Sequence, residues 1–206
     1  MRLCLVGMSG VGKSHWAKRL AEARGYVRHD CDGAIGEHLV QLVTPAPGEE
    51  PVHALGRWMG MPWSEGYPAR EARYLALEEQ VTRAALDRMA REPGSHVLDA
   101  TGSVVYLPRE LLDRVRVECR VVYLRAPEVM RDAMLRRYLE EPKPVVWGAS
   151  FTPRAGERPR DALARCYGEL LALRDRRYAA LAHVVLDGAA LEASAASVEE
   201  LIARIG

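Results

Sequence analysis

Residues 7–14 read Gly-Met-Ser-Gly-Val-Gly-Lys-Ser, directly after the apolar run Leu3-Cys4-Leu5-Val6. Two glycines separated by four residues, then Lys and Ser, form the pattern of a loop that cradles phosphate. Between a buried strand and a helix N-terminus, such a loop aims several backbone N–H groups at one point, where the helix dipole also favours an anion. Gly7, Gly10 and Gly12 allow the tight turn and close backbone approach. Lys13 is placed to reach the β- and γ-phosphates, and Ser14 to ligate Mg²⁺. The segment, with Val11 and His15 included, reads as a binding site for a nucleoside triphosphate rather than as an ordinary glycine-rich turn.

Two further clusters follow apolar stretches. His29-Asp30-Cys31-Asp32 leaves a second short strand, and carboxylates at i and i+2 of an extended chain project to one side. One of the pair can serve Mg²⁺ and the other an acceptor hydroxyl, since phosphoryl transfer needs charge neutralisation and a carboxylate to take the proton. The alternative for either is to cap the helix that starts near Gly33. Val97-Leu98 runs into Asp99-Ala100-Thr101-Gly102-Ser103. Asp99 there reads as a second Mg²⁺-linked carboxylate or as a structural turn residue. Thr101, Gly102 and Ser103 form a small hydrogen-bonding turn suited to a polar ligand.

The elements that must position these groups are short strands at Arg2–Val6, Tyr26–His29, His96–Ala100, Arg120–Leu124 and His183–Asp187. Helical patterns cover Lys13–Arg24, Gly33–Val43, Ala69–Arg91, Glu128–Leu139, Asp161–Ala182 and Leu191–Ile205. Apolar strands alternating with helices predict a parallel sheet covered on both faces, with its ligands beyond the carboxyl ends of the strands. Two stretches interrupt the rhythm. Residues 44–68 are rich in Pro and Gly and carry Trp58-Met59-Gly60-Met61-Pro62-Trp63. Residues 140–160 contain Pro142, Pro144, Trp147, Phe151 and Pro153. Loops of this length in a compact domain are often functional. The first reads as a substrate-side insert or as a flap packed on the body by its tryptophans, the second as a lid.

At 206 residues, 49% hydrophobic and 28% charged, the chain fits one domain over 1–206. The net charge of +1, with no Lys/Arg run, argues against a nucleic-acid partner. Only Lys13, Lys18 and Lys143 stand against 26 arginines, so a lysine is the more informative cation here. Cys4, Cys31, Cys119 and Cys166 lack Cys-x-x-Cys spacing and read as small buried apolar residues. No apolar run approaches membrane-spanning length and no leader pattern precedes the first strand. The expectation is a cytoplasmic monomer or weak dimer without a membrane partner.

The chain resembles the shikimate kinase family of nucleoside monophosphate kinase-like P-loop proteins. The resemblance rests on the loop at 7–14, the Asp-x-Asp at 30–32, and Leu77-Glu78-Glu79 followed by Arg83-Ala84-Ala85-Leu86. Val121-Val122-Tyr123-Leu124, and Leu173-Arg174-Asp175-Arg176-Arg177-Tyr178 with Ala182, extend it in family order. It implies an α/β P-loop NTPase fold, a three-layer α/β/α sandwich whose five-stranded parallel sheet has the order 2-3-1-4-5 and carries a lid. It also implies transfer of the γ-phosphoryl group of ATP, with Mg²⁺, to a hydroxyl of a small polar, acidic acceptor. Asp32 would activate that hydroxyl, with Lys13 and a lid arginine, Arg137 or Arg136, as the other catalytic groups. Ser14 and Asp30 would hold Mg²⁺ with Asp99, Arg174 would reach the acceptor, and Lys143 of Lys143-Pro144-Val145-Val146 would clamp phosphate.

The sequence departs from the family in its pocket residues and in the length of its lid and of the 44–68 insert, both longer than usual. Leu75 aligns with a substrate-binding arginine, leaving Arg73 and Arg70 nearby, and Thr101-Gly102-Ser103 replaces three glycines. The loss removes a charge-assisted contact. Kinase chemistry is left intact, while the acceptor is open among shikimate, polyols, sugar acids and nucleosides or nucleotides. The competing reading is a non-catalytic ATP-binding regulatory module, because a binding loop alone does not specify chemistry.

Overall fold

A computed structural model describes residues 1–39, 43–193 and 196–206. Its core is a parallel sheet in the order β2-β3-β1-β4-β5. The strands are β1 (Arg2–Val6), β2 (Val27–Asp30), β3 (His96–Asp99), β4 (Arg120–Arg125) and β5 (Val184–Asp187). Leu3, Cys4, Leu5 and Val6 are fully buried, as expected of a central strand covered on both faces. In register, Leu5 pairs with Asp99 of β3 and Val122 of β4, and Asp30 pairs with Asp99. The chain therefore leaves β1, β2 and β3 at one level, and the phosphate loop, Asp30 and Asp99 come side by side.

The helices are α1 (Lys13–Arg24), α2 (Cys31–Leu39), α3 (Pro51–Met59), α4 (Tyr67–Arg91), α5 (Arg109–Glu118), α6 (Arg131–Glu140), α7 (Pro159–Leu181), α8 (Gly188–Ala193) and α9 (Val198–Ile205). They cover both faces of the sheet, and none among the described residues is long and apolar enough to cross a membrane. The four cysteines are buried and free.

Strand and helix ends agree with the sequence reading to within one or two residues in most elements, and four differences are substantive. The helix expected over Gly33–Val43 starts earlier, at Cys31, so Asp32 lies in its first turn and not on a strand extension. The helix is described to Leu39, residues 40–42 lie outside the described residues, and Val43, its expected end, is not helical. The 44–68 insert is not all loop: Pro51 at the first helical position starts α3, and Gly60, at φ 77°, ends it. Helix α5 lies where no element was read, because only Leu111 and Val115 of its mostly charged sequence are buried. Finally, the closing helix is two helices. Ser197 and Glu200 form a reciprocal capping box that starts α9 afresh.

Candidate active site

The phosphate loop joins β1 to α1. Gly7, at φ 149°, lies so close to β4 that a Cβ would sit 2.5 Å from the Leu124 carbonyl oxygen, so a side chain there would displace a core strand. Gly12, at φ 92°, precedes Lys13, and the first turn of α1 holds no acidic residue to offset the positive end of its dipole. Lys13 is buried. Its Nζ donates to the carbonyls of Gly7 and Met8 at 3.0 Å each, folding the side chain back over its own loop. Burial pulls its pKa below the usual lysine value, and the Asp32 and Asp99 charges oppose that pull. Ser14 and His15 are exposed on the cleft side of α1.

Asp32 opens onto the cleft but is hemmed in by its walls, and this desolvation raises its carboxyl pKa, with the Lys13 charge acting in the opposite sense. The Tyr74 hydroxyl donates to its Oδ1 at 3.2 Å. Asp30 has a different engagement. Its Oδ1 accepts from the Gly33 amide at 3.1 Å and its Oδ2 pairs with Arg28 at 3.0 Å, which is the capping alternative in geometric form. Asp99 is buried beneath the cleft, where its Oδ2 accepts from Arg28 Nε at 3.1 Å and Nη2 at 2.6 Å. Arg28 thus bridges the two carboxylates read as Mg²⁺ partners.

Behind the turn at 101–103 lies Glu78 of α4, with 0% of its surface exposed. Its Oε2 accepts from Ser103 Oγ at 2.6 Å and its Oε1 from Thr101 Oγ1. Burial pushes its pKa up to about 7, while the two hydroxyl bonds act to lower it. The Tyr178 hydroxyl donates to the Gly102 carbonyl, tying the turn to α7. Arg174 of α7 is 6% exposed. One Nη donates to the Val146 carbonyl at 2.7 Å, while its Nε lacks a hydrogen-bond partner. No carboxylate lies within ion-pair distance of it among the described residues, and the guanidinium stands 5.4 Å from the Tyr106 ring centre.

The 140–160 segment is docked. Trp147, fully buried, packs among Tyr138, Phe151 and Tyr167. Glu71 Oε1 accepts from the amides of Trp147 at 2.6 Å and Gly148 at 3.0 Å, and the Tyr67 hydroxyl reaches both Glu71 and the Val145 carbonyl. The first insert packs on the second: Gly56 of α3 abuts the Pro142–Lys143 backbone, and Trp63 lies against Phe151 with ring centres 6.0 Å apart.

These groups border two adjoining spaces. A cavity of about 240 Å³ is lined by Ser9, Gly10, Val11, Lys13, Asp32, Tyr74, Gly102, Ser103, Arg137, Glu141, Lys143 and Arg174, with a largely apolar remainder, most of it from α6, α7 and residues 144–145. A larger cleft of about 870 Å³ shares Ser9, Gly10, Lys13, Asp32 and Lys143 with it and adds Gly12, Ser14, His15, Lys18 and Asp30. The loop therefore stands between them. Of the two lid arginines left open by the sequence, Arg137 is the one in the cavity wall, and its Nη1 would lie 3.6 Å from a Cβ on Gly10.

Four expected site residues do not line either space. Gly7 is packed against β4 at the Leu124 carbonyl. Arg73 points outward from α4, and the inward position of that turn belongs to Tyr74. Thr101 turns its hydroxyl onto Glu78, away from the cavity. Asp99 is covered by Arg28. Tyr74, Glu78 and Arg28 went unread as site residues. Tyr74 and Glu78, four apart on one helix, share a face, and that spacing beside Asp32 and Thr101 was the available signal.

A five-stranded parallel sheet of order 2-3-1-4-5, with a glycine loop wrapping the N-terminus of the helix after its first strand, is the fold of the P-loop kinases. By sequence, the family model described as AAA domain (AAA_33) matches residues 3–132, and the chain belongs to that family. Among solved structures, the shikimate kinase from Aquifex aeolicus superposes with a TM-score of 0.58 at 17% identity, covering 100% of this chain and 96% of that one. The shikimate kinase from Acinetobacter baumannii, in complex with shikimate, gives 0.57 at 19%, covering 90% and 82%. That from Bacteroides thetaiotaomicron gives 0.56 at 17%, covering 91% and 86%. At such identities the likeness is one of fold. No curated protein matches the chain in sequence.

Proposed function

We propose that the protein is an ATP-dependent small-molecule kinase that transfers the γ-phosphoryl group to a hydroxyl of a small acidic acceptor. One observation carries the reading: the phosphate loop with Lys13, the Asp32 carboxylate and the Arg174 guanidinium, which has no ion-pair partner among the described residues, come from separate elements and border a single small cavity. Asp32, its basicity raised by its surroundings, is suited to take the acceptor's proton, and the Tyr74 hydroxyl holds it in place. Arg174 is a desolvated cation lacking an ion-pair partner among the described residues, an arrangement that favours an anionic acceptor. Lys13, Lys143 and Arg137 supply positive charge around the transferring group.

The residues fit Mg²⁺ in part. Ser14 faces the cleft with its hydroxyl uncommitted among the described residues, and Asp30 reaches the same cleft while paired with Arg28. Bound there, the ion would neutralise phosphate charge. Arg28 on Asp30 and Asp99 is the observation that favours the second reading, a non-catalytic ATP-binding module.

Asp32→Asn separates the two readings. A kinase should lose turnover by about 10²–10⁴-fold, followed as ADP release, while its ATP affinity by calorimetry stays within about threefold. ATP binding without turnover of any acceptor in the wild-type protein would establish the module instead.

A further inference from the structure

The acceptor cavity has two kinds of wall. Its polar groups crowd around the phosphate loop, and most of them are already committed. Ser103 donates to Glu78, Tyr74 donates to Asp32, and one arm of Arg174 holds the Val146 carbonyl. With Lys13, Arg137 and Lys143 left to the phosphates, what remains beside the loop to meet a bound molecule is Ser9, the Asp32 carboxylate, suited to one hydroxyl, and the rest of the Arg174 guanidinium, suited to one anion. The rest of the lining is largely apolar, with Met134 and Tyr138 from α6, Val145, and Tyr167, Leu170 and Leu171 from α7, and its polar points are Glu141 and the Tyr167 hydroxyl.

The aromatic part of that wall is flat and rigid. Tyr138 and Tyr167 stack with ring centres 5.9 Å apart and planes 13° from parallel. The Tyr138 hydroxyl accepts from the Trp147 indole at 3.3 Å, so its oxygen is turned to the buried lid. A polyol ring placed here would bury additional hydroxyls against this wall, and each one left without a partner weakens binding by about ten- to a hundredfold. An apolar body gains instead from each methylene or ring face it buries.

We infer that the acceptor is an amphiphilic hydroxy acid, with one reacting hydroxyl, one anionic group and an aromatic or branched aliphatic body, and not a polyol. The inference rests on the kinase reading and names the substrate class of the same site. The cavity of about 240 Å³ sets the size, below the roughly 300–1,000 Å³ typical of drug-sized ligands. A single-ring or branched-chain hydroxy acid suits it better than a nucleotide does. The reaction balances without another reactant: the acceptor oxygen bonds to the γ-phosphorus, the bond to the β-phosphate bridging oxygen breaks, ADP leaves, and Asp32 takes the hydroxyl proton.

The test compares 3-phenyllactate and 2-hydroxyisocaproate with shikimate and gluconate, using the full chain with ATP and Mg²⁺ and following ADP release. The two apolar acids should exceed the two polyol acids in kcat/KM by at least tenfold. Leu171→Asn, checked for folding by circular dichroism and for unchanged ATP affinity, should narrow that ratio. Equal or better turnover of shikimate or gluconate overturns the inference while leaving the kinase reading intact. If none of the four turns over, calorimetry of the same acids on the ADP-loaded wild-type protein decides the ligand class, while the kinase reading is judged by Asp32→Asn and a wider acceptor panel. Tighter binding of the apolar pair by tenfold or more then supports the assignment, and equal, weaker or absent binding overturns it.

Discussion

Glu78 offers a test of the site's electrostatics that needs no substrate. It is completely enclosed, and among the described residues it meets two hydroxyls and no cation at bonding distance. Its pKa rises from the ordinary 4.5 to about 7, chiefly because burial disfavours the carboxylate. Below pH 4.5 the group is protonated both folded and unfolded. Between 4.5 and 7 the unfolded chain has released this proton and the folded chain still holds it, so folding is progressively disfavoured as pH rises. Above 7 both states are ionised and the loss is complete. Its full size, at about 1.36 kcal/mol per pH unit, is about 3 kcal/mol.

Glu78→Gln removes the titration while keeping a carbonyl acceptor for the hydroxyls, which rotate to suit. The assay is urea unfolding of both proteins from pH 4.5 to 8.5. The wild-type stability minus that of the variant should fall by about 3 kcal/mol up to pH 7 and then level. With a urea slope of about 2 kcal/mol/M, the relative midpoint moves by about 1.5 M. A difference that stays constant across this range would refute the assignment, because Glu78 would then ionise like an exposed carboxylate.

Other perturbations address the docked lid and the acceptor site. Glu71→Ala strips the Trp147 and Gly148 amides of their shared acceptor and should cost about 2–3 kcal/mol, seen as a Tm lower by about 4–10 °C. Amide exchange at those two residues should accelerate as well, and unchanged Tm and exchange would show that the clamp is dispensable. Gly56→Ala ought to stabilise an ordinary helix by about 1 kcal/mol. Here its methyl meets the Pro142 carbonyl and lies 2.9 Å from Lys143 Cα, so a net loss of about 1–3 kcal/mol is expected, and a gain in Tm would contradict the packing. Arg174→Met should leave stability within about 1 kcal/mol, since a buried cation without an ion-pair partner is exchanged for an apolar chain of similar length. The same variant should raise the KM of an acidic acceptor at least about tenfold, and an unchanged KM would remove Arg174 from substrate binding.

Several of these groups were readable in sequence because they belong to one continuous segment. The glycine loop, its lysine and serine, and the strand before it lie within a few residues, so their geometry follows from neighbours along the chain. Alternation of apolar strands with helices was enough to anticipate a parallel sheet, and the resemblance supplied its order, which the topology bears out. Helices α3 and α5 escaped notice for physical reasons. One is bounded by Pro and Gly, which read as loop, and the other buries too few residues to show a strong period. The pair Asp30 and Asp32 was mislaid in detail because α2 begins one residue after β2, turning the two carboxylates toward different partners.

From the sequence alone came the phosphate-loop pattern of residues 7–14 and the sheet class, and the family resemblance singled out Asp32 and Arg174. Only the tertiary structure decided that Arg28 occupies Asp30 and Asp99, and that Arg137 rather than Arg136 lines the cavity. It alone also decided that Glu78 supports the 101–103 turn, that the 140–160 segment is bolted by Glu71 and Tyr67, and that the cavity lining away from the loop is largely apolar. Each of these is a contact between residues far apart in the chain. Backbone turns and periodicities are set locally by sterics and hydrogen bonding, whereas a side chain's partner depends on which distant element packing brings beside it.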